Sequence, residues 1–237
     1  MITISIVSHG HGEMVEKLIA QLQKIETVSQ IILTLNIPES VQTKNDAKLN
    51  IIQNNLPLGF GANHNNAFKI CSEDFFCVLN PDIEFAQDPF PTLLECIAQK
   101  NISLAAPIII SPSGEIEDSA RKFPTWSGML NKLFFSADGR WPLDLTESVN
   151  YPDWVAGMFM LFPSTAYMQV GGFDERYFLY YEDVDLCRRM QNQDHKIGLC
   201  TKVKVIHDAQ RGSRKNVRLL LWHVKSMLRF LLLSPKK

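Results

Sequence analysis

The hydrophobic pattern divides the chain into short β-type runs and stretches of helical period. Ile2–Ser8 is β-branched and apolar, which predicts a strand buried on both faces. Ser8-His9-Gly10-His11-Gly12 breaks it, and Met14/Val15, Leu18/Ile19, Leu22 and Ile25 then recur at helical spacing. Gln30–Leu35 predicts a second strand, Asn36–Lys48 a polar connection and Leu49–Gln53 a short third strand. This β-loop-α-β start is that of an open α/β sheet. Asn54–Asn66 reads as an Asn- and Gly-rich loop running into a helix that ends near Cys71. Phe75–Leu79 is a strand stopped by Asn80-Pro81-Asp82, Pro91–Lys100 a helix, and Leu104–Ile110 a strand.

From Ser111 to Asp153 periodicity fades, interrupted by proline and glycine, with Trp126, Phe134, Phe135 and Trp141 scattered through it. A segment this long and aromatic suits a binding region better than a linker. Trp154–Phe162 predicts a strand, Ser164–Val170 a short helix, and Ile197–Cys200 and Val203–Ile206 two short strands before His207. Residues 216–237 form a basic, apolar tail. Leu219, Leu220, Trp222 and Phe230 mix there with Arg218, Lys225, Arg229, Lys236 and Lys237. Such an amphipathic helix either closes the domain by packing or makes a peripheral contact with an anionic membrane surface, and the two are compatible.

Composition narrows the class. With 237 residues, 46% hydrophobic and 21% charged, the chain suits one sizeable globular domain or two small ones. A formal net charge of −1 argues against nucleic acid as a partner. The five cysteines are scattered without a CxxC pair, so buried thiols in a reducing, cytoplasmic setting are expected. The N-terminus lacks the features of a signal peptide, and no apolar run approaches the ~18 residues of a spanning helix.

Ligands of open α/β sheets bind at the carboxyl ends of the strands. Ser8-His9, Asn36, Asn80-Pro81-Asp82 and His207 all stand at such ends. Asp82 can serve a divalent cation, although Asn-Pro-Asp is also an ordinary turn. His207 can be structural, or can join Asp82 and Asp183 in a His/carboxylate set suited to Mg²⁺ or Mn²⁺. Gly59, Gly61 and Asn63 open a helix that could offer amides to an anion. His64 takes the place of a third glycine, so the dinucleotide fingerprint is not met. Arg121, Lys122, Arg211, Ser213 and Arg214 are surface groups or phosphate contacts. Most conspicuous is Gly171–Arg189, where Asp174, Glu175, Glu182, Asp183 and Asp185 stand among Phe173, Tyr177, Phe178, Tyr180 and Tyr181. Val184, Cys187 and Met190 then recur every third residue, putting Glu182 and Asp183 at a helix N-terminus. The acids either cap that helix or carry an acidity shifted by the aromatic surroundings.

In order, Ile4-Ser-Ile-Val-Ser, Leu58-Gly-Phe-Gly-Ala-Asn, Val78-Leu-Asn-Pro-Asp-Ile and Ser119-Ala-Arg-Lys-Phe-Pro-Thr are followed by Trp154-Val-Ala-Gly-Met-Phe-Met-Leu, Gly171–Arg189 and Val205-Ile-His. Together they resemble the family-two glycosyltransferases of bacteria, particularly a rhamnosyltransferase-like branch, over roughly Ile2 to Arg214. The resemblance implies a GT-A fold: one open, mixed, mostly parallel sheet flanked by helices, with a Rossmann-like nucleotide-sugar half (1–110) and an acceptor half (111–215). It implies inverting transfer of a sugar from a nucleotide diphosphate sugar to a saccharide or lipid-linked saccharide acceptor. The best match is rhamnose from dTDP-rhamnose in O-antigen or lipopolysaccharide synthesis. It further implies Asp183 as general base beside Glu182, Asp82 and His207 as ligands of Mg²⁺ or Mn²⁺, and a donor site of Ser8, His9, Asn36, Gly59, Gly61, Asn63, Asn80 and Arg121. Trp154, Gly157, Tyr180 and Tyr181 would shape the acceptor side. Departures exist: Ser8-His9-Gly10 replaces a common Thr-Tyr-Asn, and Leu35 stands where many relatives have aspartate. Another hexose from a UDP-sugar, or a non-catalytic sugar- or nucleotide-binding relative, therefore stay open as alternatives.

Overall fold

A computed structural model of the chain describes residues 1–43, 46–126, 128, 139–207 and 217–233. The candidate phosphate contacts Arg211, Ser213 and Arg214, and the aromatics Phe134 and Phe135, lie outside the described residues. The strands are β1 (Ile2–Ser8), β2 (Val28–Leu35), β3 (Leu49–Gln53), β4 (Phe75–Leu79), β5 (Ile83–Glu84), β6 (Leu104–Ile110), β7 (Ala120–Arg121), β8 (Val149–Asn150), β9 (Trp154–Val155), β10 (Phe159–Pro163) and β11 (Ile197–His207). The helices are α1 (Glu13–Leu22), α2 (Phe60–Phe68), α3 (Phe90–Lys100), α4 (Ser164–Val170), α5 (Glu182–Asn192) and α6 (Val217–Leu233).

The main sheet runs β3-β2-β1-β4-β10-β6-β11-β5, with β8 on β11, while β7 and β9 pair separately. β1, β2, β3 and β4 are mutually parallel, as are β6 and β11, whereas β10 is antiparallel to both β4 and β6. This is the expected open, mostly parallel sheet flanked by helices. Because β10 runs opposite to its neighbours, its start lies beside the end of β4, with Phe159 opposite Leu79. The carboxyl ends of the parallel strands and the turn into β10 thus share one edge.

Strand alternation builds two cores. Ile2, Ile4 and Ile6 of β1, with Cys77 and Leu79 of β4, face Val15, Leu18 and Leu22 of α1 and Phe90 and Leu93 of α3. Phe76 and Val78 of β4 face Tyr167 of α4 and Leu186, Cys187 and Met190 of α5 on the other side. Burying roughly ten such side chains at about 1.5–3 kcal/mol each is the main driving force on either face. A third, small cluster joins Tyr177, Val184 and Phe230, and it is where α6 meets the body. Among the described residues no helix is long and apolar enough to cross a membrane.

Three boundaries differ from the sequence expectation. α2 begins at Phe60, inside the expected Asn54–Asn66 loop: Asn65 donates to the distant Phe173 O, while Asn63 donates back to Gly59 O one turn earlier and accepts from Asn54, so both side chains are compatible with the helix. The expected strand Trp154–Phe162 is two strands in different sheets, since Ala156 N–H is bound by Ser119 O and Gly157 N–H by Asp183. The two expected strands at 197–206 are one, β11, with an irregularity between Cys200 and Lys204 that preserves pairing to β6.

The α2 face of β1 carries an internal polar pair, Ser5 Oγ with His64 Nδ1 at 2.8 Å. Complete burial pushes the His64 imidazole down to about 3, so it is neutral in the fold. The unfolded chain then binds a proton below its ordinary value of 6.5 that the fold excludes. Stability is therefore full above that value and falls as pH drops toward 3, by about 1.4 kcal/mol per pH unit. Denaturant melts of the Ser5→Ala/His64→Leu double variant should lose about 2 kcal/mol less than the parent between roughly pH 7 and pH 5.

Candidate active site

The site is assembled on the strand-end edge from three connected groups of residues. The first is the loop leading into α2. Asn36, just past β2, accepts from Leu58 N–H at 2.8 Å and donates to Leu58 O at 3.0 Å. Asn54 donates to Asn36 at 2.9 Å and to Asn63 at 2.7 Å, and Asn63 donates to Gly59 O at 3.0 Å. This ladder of amides holds the Leu58–Gly59 backbone rigidly, and Asn36 and Asn63 are themselves buried. Gly59 then meets the far side of the site. Phe60 N–H donates to Phe178 O at 2.9 Å, and a Cβ on Gly59 would stand 2.8 Å from that same oxygen. Gly61 is equally constrained, since a Cβ there would lie 2.5 Å from Phe173 Cβ. Both glycines bring α2 against Phe173–Phe178.

The second group surrounds Asp82. The Asn80 N–H is held by Met158 O at 2.9 Å, which ties the Asn80-Pro81-Asp82 turn to the start of β10. His207, ending β11, sits between two carboxylates: Nε2 is 3.2 Å from Asp82 Oδ2, and Nδ1 is 2.8 Å from Glu117 Oε2. Burial works to lower the imidazole, but the hydrogen bonds and charges of Asp82 and Glu117 outweigh it and raise its pKa. The second Asp82 oxygen, Oδ1, is buried without a hydrogen-bond partner. An orphaned carboxylate oxygen beside an imidazole whose far nitrogen is fixed by Glu117 is a donor pair suited to a hard divalent ion that takes its remaining ligands from phosphate and water. Among the described residues, no three His, Cys, Asp or Glu side chains are grouped to hold a metal by themselves. Ser8 and His9 lie nearby, in a loop fastened by Glu39. Its carboxylate accepts from Gly10 N–H at 3.0 Å and Gly12 N–H at 3.4 Å. Burial works against that charge, yet the bonds from Ser8, Gly10 and Gly12 hold the carboxyl below its usual range.

The third group is the acidic start of α5. Tyr180 and Tyr181 both have φ of 68°, left-handed backbone that costs each about 1–3 kcal/mol in a residue other than glycine. This reversal turns the chain so that Glu182 and Asp183 point inward at the helix N-terminus. Asp183 Oδ1 accepts from Val184 N–H at 2.8 Å, and Oδ2 accepts from Gly157 N–H at 3.1 Å. Burial raises the Asp183 carboxyl above its usual range despite those donors. Glu182 is raised further, first by burial and then by the neighbouring Asp183 charge, and its Oε2 is buried without a partner. A Cβ on Gly157 would lie 3.2 Å from the Phe60 ring and 3.7 Å from Asp183 Cβ, so glycine lets this backbone amide reach the acid. Arg121 pairs with Asp118 at 3.2 Å and stands 6.0 Å from the Trp154 ring, whose Nε1 donates to Lys122 O. Burial raises the Tyr180 and Tyr181 phenols, which keeps both as neutral hydroxyls.

The structure thus joins Asp82, His207 and Asn80 to Gly157 and Asp183 through the Met158–Asn80 bond, and Gly59 to the aromatic loop through Phe178. Trp154, expected on the acceptor side, and Arg121, expected as a donor contact, lie together, with Arg121 close enough to act on the Tyr181 phenol. Asn36 and Asn63, expected as donor contacts, spend their amides on the Gly59 loop. Sequence reading missed Glu39, Asn54 and Glu117. Each acts on a residue between 9 and 90 positions away, and no local spacing announces such a pairing.

A family model described as "Glycosyl transferase family 2" matches residues 13–154, a span that includes the Asp82 turn and stops short of Asp183 and His207. Rhamnosyltransferase WbbL of Escherichia coli (strain K12) is 30% identical over 246 residues, 98% of this chain and 92% of that protein. N-acetylglucosaminyl-diphospho-decaprenol L-rhamnosyltransferase of Mycobacterium tuberculosis (strain CDC 1551 / Oshkosh) is 30% identical over 171 residues, 67% of this chain and 55% of its own length. Among solved structures, GalNAc-T7 with UDP, GalNAc and Mn²⁺ superposes with a TM-score of 0.71 at 14% identity, covering 91% of this chain and 44% of that one. Mannosyltransferase PcManGT from Pyrobaculum calidifontis with GDP-Man and Mn²⁺ does so with a TM-score of 0.63 at 10% identity, covering 99% and 65%. At those identities the structural likeness concerns the fold.

Gly59→Ala tests the close approach of α2 to the aromatic loop. Pushing the two backbones apart should cost about 1–3 kcal/mol, a fall in Tm of about 2–12 °C in a thermal melt.

Proposed function

The chain belongs to glycosyl transferase family 2 and is a glycosyltransferase of GT-A fold, and from that premise we propose that it transfers rhamnose from a nucleotide diphosphate sugar, dTDP-rhamnose, onto a saccharide acceptor of a bacterial surface polysaccharide, with inversion. The rhamnose assignment rests on likeness to relatives named as rhamnosyltransferases, one of them over nearly the full chain. The observation that carries the chemistry is Asp183, a carboxylate desolvated at the start of α5 and aimed by the N–H groups of Gly157 and Val184.

In this reading Asp183 takes the proton of the acceptor hydroxyl as that oxygen bonds to the anomeric carbon. The bond from that carbon to the diphosphate oxygen breaks on the opposite face, which inverts the centre. Glu182, its carboxyl raised by burial and by the Asp183 charge, has Oε2 unpartnered, whereas both Asp183 oxygens accept an N–H, so Asp183 is the member aimed to act as base. Asp82 and His207 would hold Mg²⁺ or Mn²⁺, and Glu117 fixes the imidazole from behind. When bound, the ion supplies positive charge beside the departing diphosphate. Gly59, Gly61 and Asn63 shape the donor loop, with Ser8, His9, Asn36 and Asn80 framing it. Trp154, Gly157, Tyr180 and Tyr181 wall the acceptor side, with Arg121 behind Trp154. The acceptor is a saccharide, free or lipid-linked, and α6 gives the chain a peripheral membrane contact on the cytoplasmic side.

Asp183→Asn should lower transfer by about 10²–10⁴-fold while the fold persists. A carboxyl whose folded pKa is raised costs stability at neutral pH, so this variant should melt at or above the parent temperature. In the parent, kcat should fall with acid at a pH above the ordinary 3.8 of aspartate. Undiminished transfer by Asp183→Asn, followed as nucleoside diphosphate release, would remove the base assignment. Glu117→Ala should weaken Mn²⁺ activation by about 10–100-fold without changing the pH at which the acid limb falls.

A further inference from the structure

α6 has two faces with different tasks. Its inner face grips the loop that precedes the catalytic carboxylate. The Trp222 ring is 4.6 Å from Phe178, and Ser226 Oγ donates to Leu179 O at 2.9 Å. The His223 ring lies 5.3 Å from Tyr180 and 5.4 Å from Tyr181, and Phe230 is 5.7 Å from Tyr181. Arg188 of α5 stacks on Phe230 at 3.9 Å. Every residue from Phe178 to Tyr181 is thus held by α6, and the next two residues are Glu182 and Asp183.

The outer face is apolar and, among the described residues, exposed. Val217, Leu220, Leu221, Val224, Leu228 and Leu232 are exposed, Leu220 by 63% and Leu232 by 70%. At 100° per residue they fall in one sector, opposite Ser226 and Phe230. Arg218, Lys225 and Arg229 line one flank of that sector, and the 17 residues of α6 contain no acid. An apolar sector bordered by cations and free of anions complements the interface of an anionic bilayer: acyl chains for the leucines, lipid phosphates for the basic flank. Lipid phosphates would add negative charge along this basic flank, which a second copy of α6, without an acid of its own, would not.

We propose that α6 docks on anionic lipid and that this contact orders the Phe178–Asp183 segment, so that the acceptor side is completed at the membrane surface. The contact itself is independent of which sugar is transferred, while its catalytic consequence rests on the glycosyltransferase reading. Two left-handed tyrosines stand between α6 and Asp183, and the grip of α6 holds them there. A helix whose outer face is immersed is also immobilised on its inner face, and the loop it holds loses freedom with it. Lipid-linked acceptors presented at the same surface would then meet an ordered site.

The test uses the full chain with vesicles of phosphatidylcholine alone or with about a third phosphatidylglycerol. The protein should float with the anionic vesicles at least tenfold more than with the neutral ones, since each basic residue near an anionic surface is worth about fivefold. Half-molar salt should weaken that binding. Leu221→Glu/Leu228→Glu should abolish flotation with the melting temperature unchanged. On anionic vesicles, amide hydrogen exchange of residues 178–185 should slow in the parent and stay fast in the double variant. No flotation, or equal flotation on neutral vesicles, overturns the lipid contact, as does a stable dimer in solution that the same double variant breaks. Flotation without slower exchange at 178–185 overturns the coupling. Both readouts are independent of turnover, so loss of transferase activity alone leaves them interpretable.

Discussion

The hydrogen bond from Gly157 N–H to Asp183 is the contact on which the arrangement depends. It interrupts what would be one strand, separates β9 from β10, and turns a backbone donor toward a helix start built elsewhere in the chain. Glycine at 157 is required by proximity rather than by φ, since the Phe60 ring and the Asp183 side chain press on the space of a Cβ. Through Met158, the next residue, the same turn holds Asn80 and with it the Asp82 side of the site. The acid assigned to the acceptor and the acid assigned to the metal are therefore fixed by consecutive residues of one loop.

Keeping two adjacent carboxyls out of water carries a cost, and the local structure offsets part of it. The α5 N-terminus favours negative charge there by about 0.3–1 kcal/mol, up to ~2 when partly buried, and two N–H groups point at Asp183. Glu182 receives less, with Oε2 unpartnered, and burial and the Asp183 charge push its carboxyl upward. The αL pair Tyr180–Tyr181 adds about 2–6 kcal/mol of backbone strain, and the aromatic contacts from α6 are of similar total size at about 0.5–1.5 kcal/mol each. Strain of this kind persists only where packing over-determines it, and here that packing comes from a helix remote in sequence.

Much of the frame was legible because it is written in periodicity. Ile2–Ser8, Phe75–Leu79 and Leu104–Ile110 are strands as their apolar runs indicate, and Val184, Cys187 and Met190 do face the core from a helix that begins at Glu182. What escaped was long-range. Glu117 lies 90 residues from His207, and nothing in its own neighbourhood, Gly114-Glu-Ile-Glu, distinguishes it from a solvent-facing acid. Glu39 reads as part of a polar connection, although it closes the loop after β1. Asn36 and Asn63, expected as donor contacts, stand at a strand end and in the first turn of a helix. The signal in them is of a rigid loop, since their amides meet each other's neighbours through Asn54.

That distinction bears on donor recognition. Leu35, where the family resemblance leads one to expect an acid, is buried in the core. The polar groups that follow are committed: Asn36 to Leu58, and Glu39 to Gly10 and Gly12. With those side chains already satisfied, a nucleotide would meet backbone groups and the two histidines of the loop more readily than a free carboxylate. His9 donates its N–H to His11 Nδ1 at 2.9 Å, which turns His11 toward the Asp82 side, while the His9 side chain stays at the surface near Asn36. Under the proposed function, selection of the base on such a surface would rest on shape and on a rigid Gly59 loop rather than on a charge. The asparagine ladder would then serve the donor by holding the Leu58–Gly59 backbone in place.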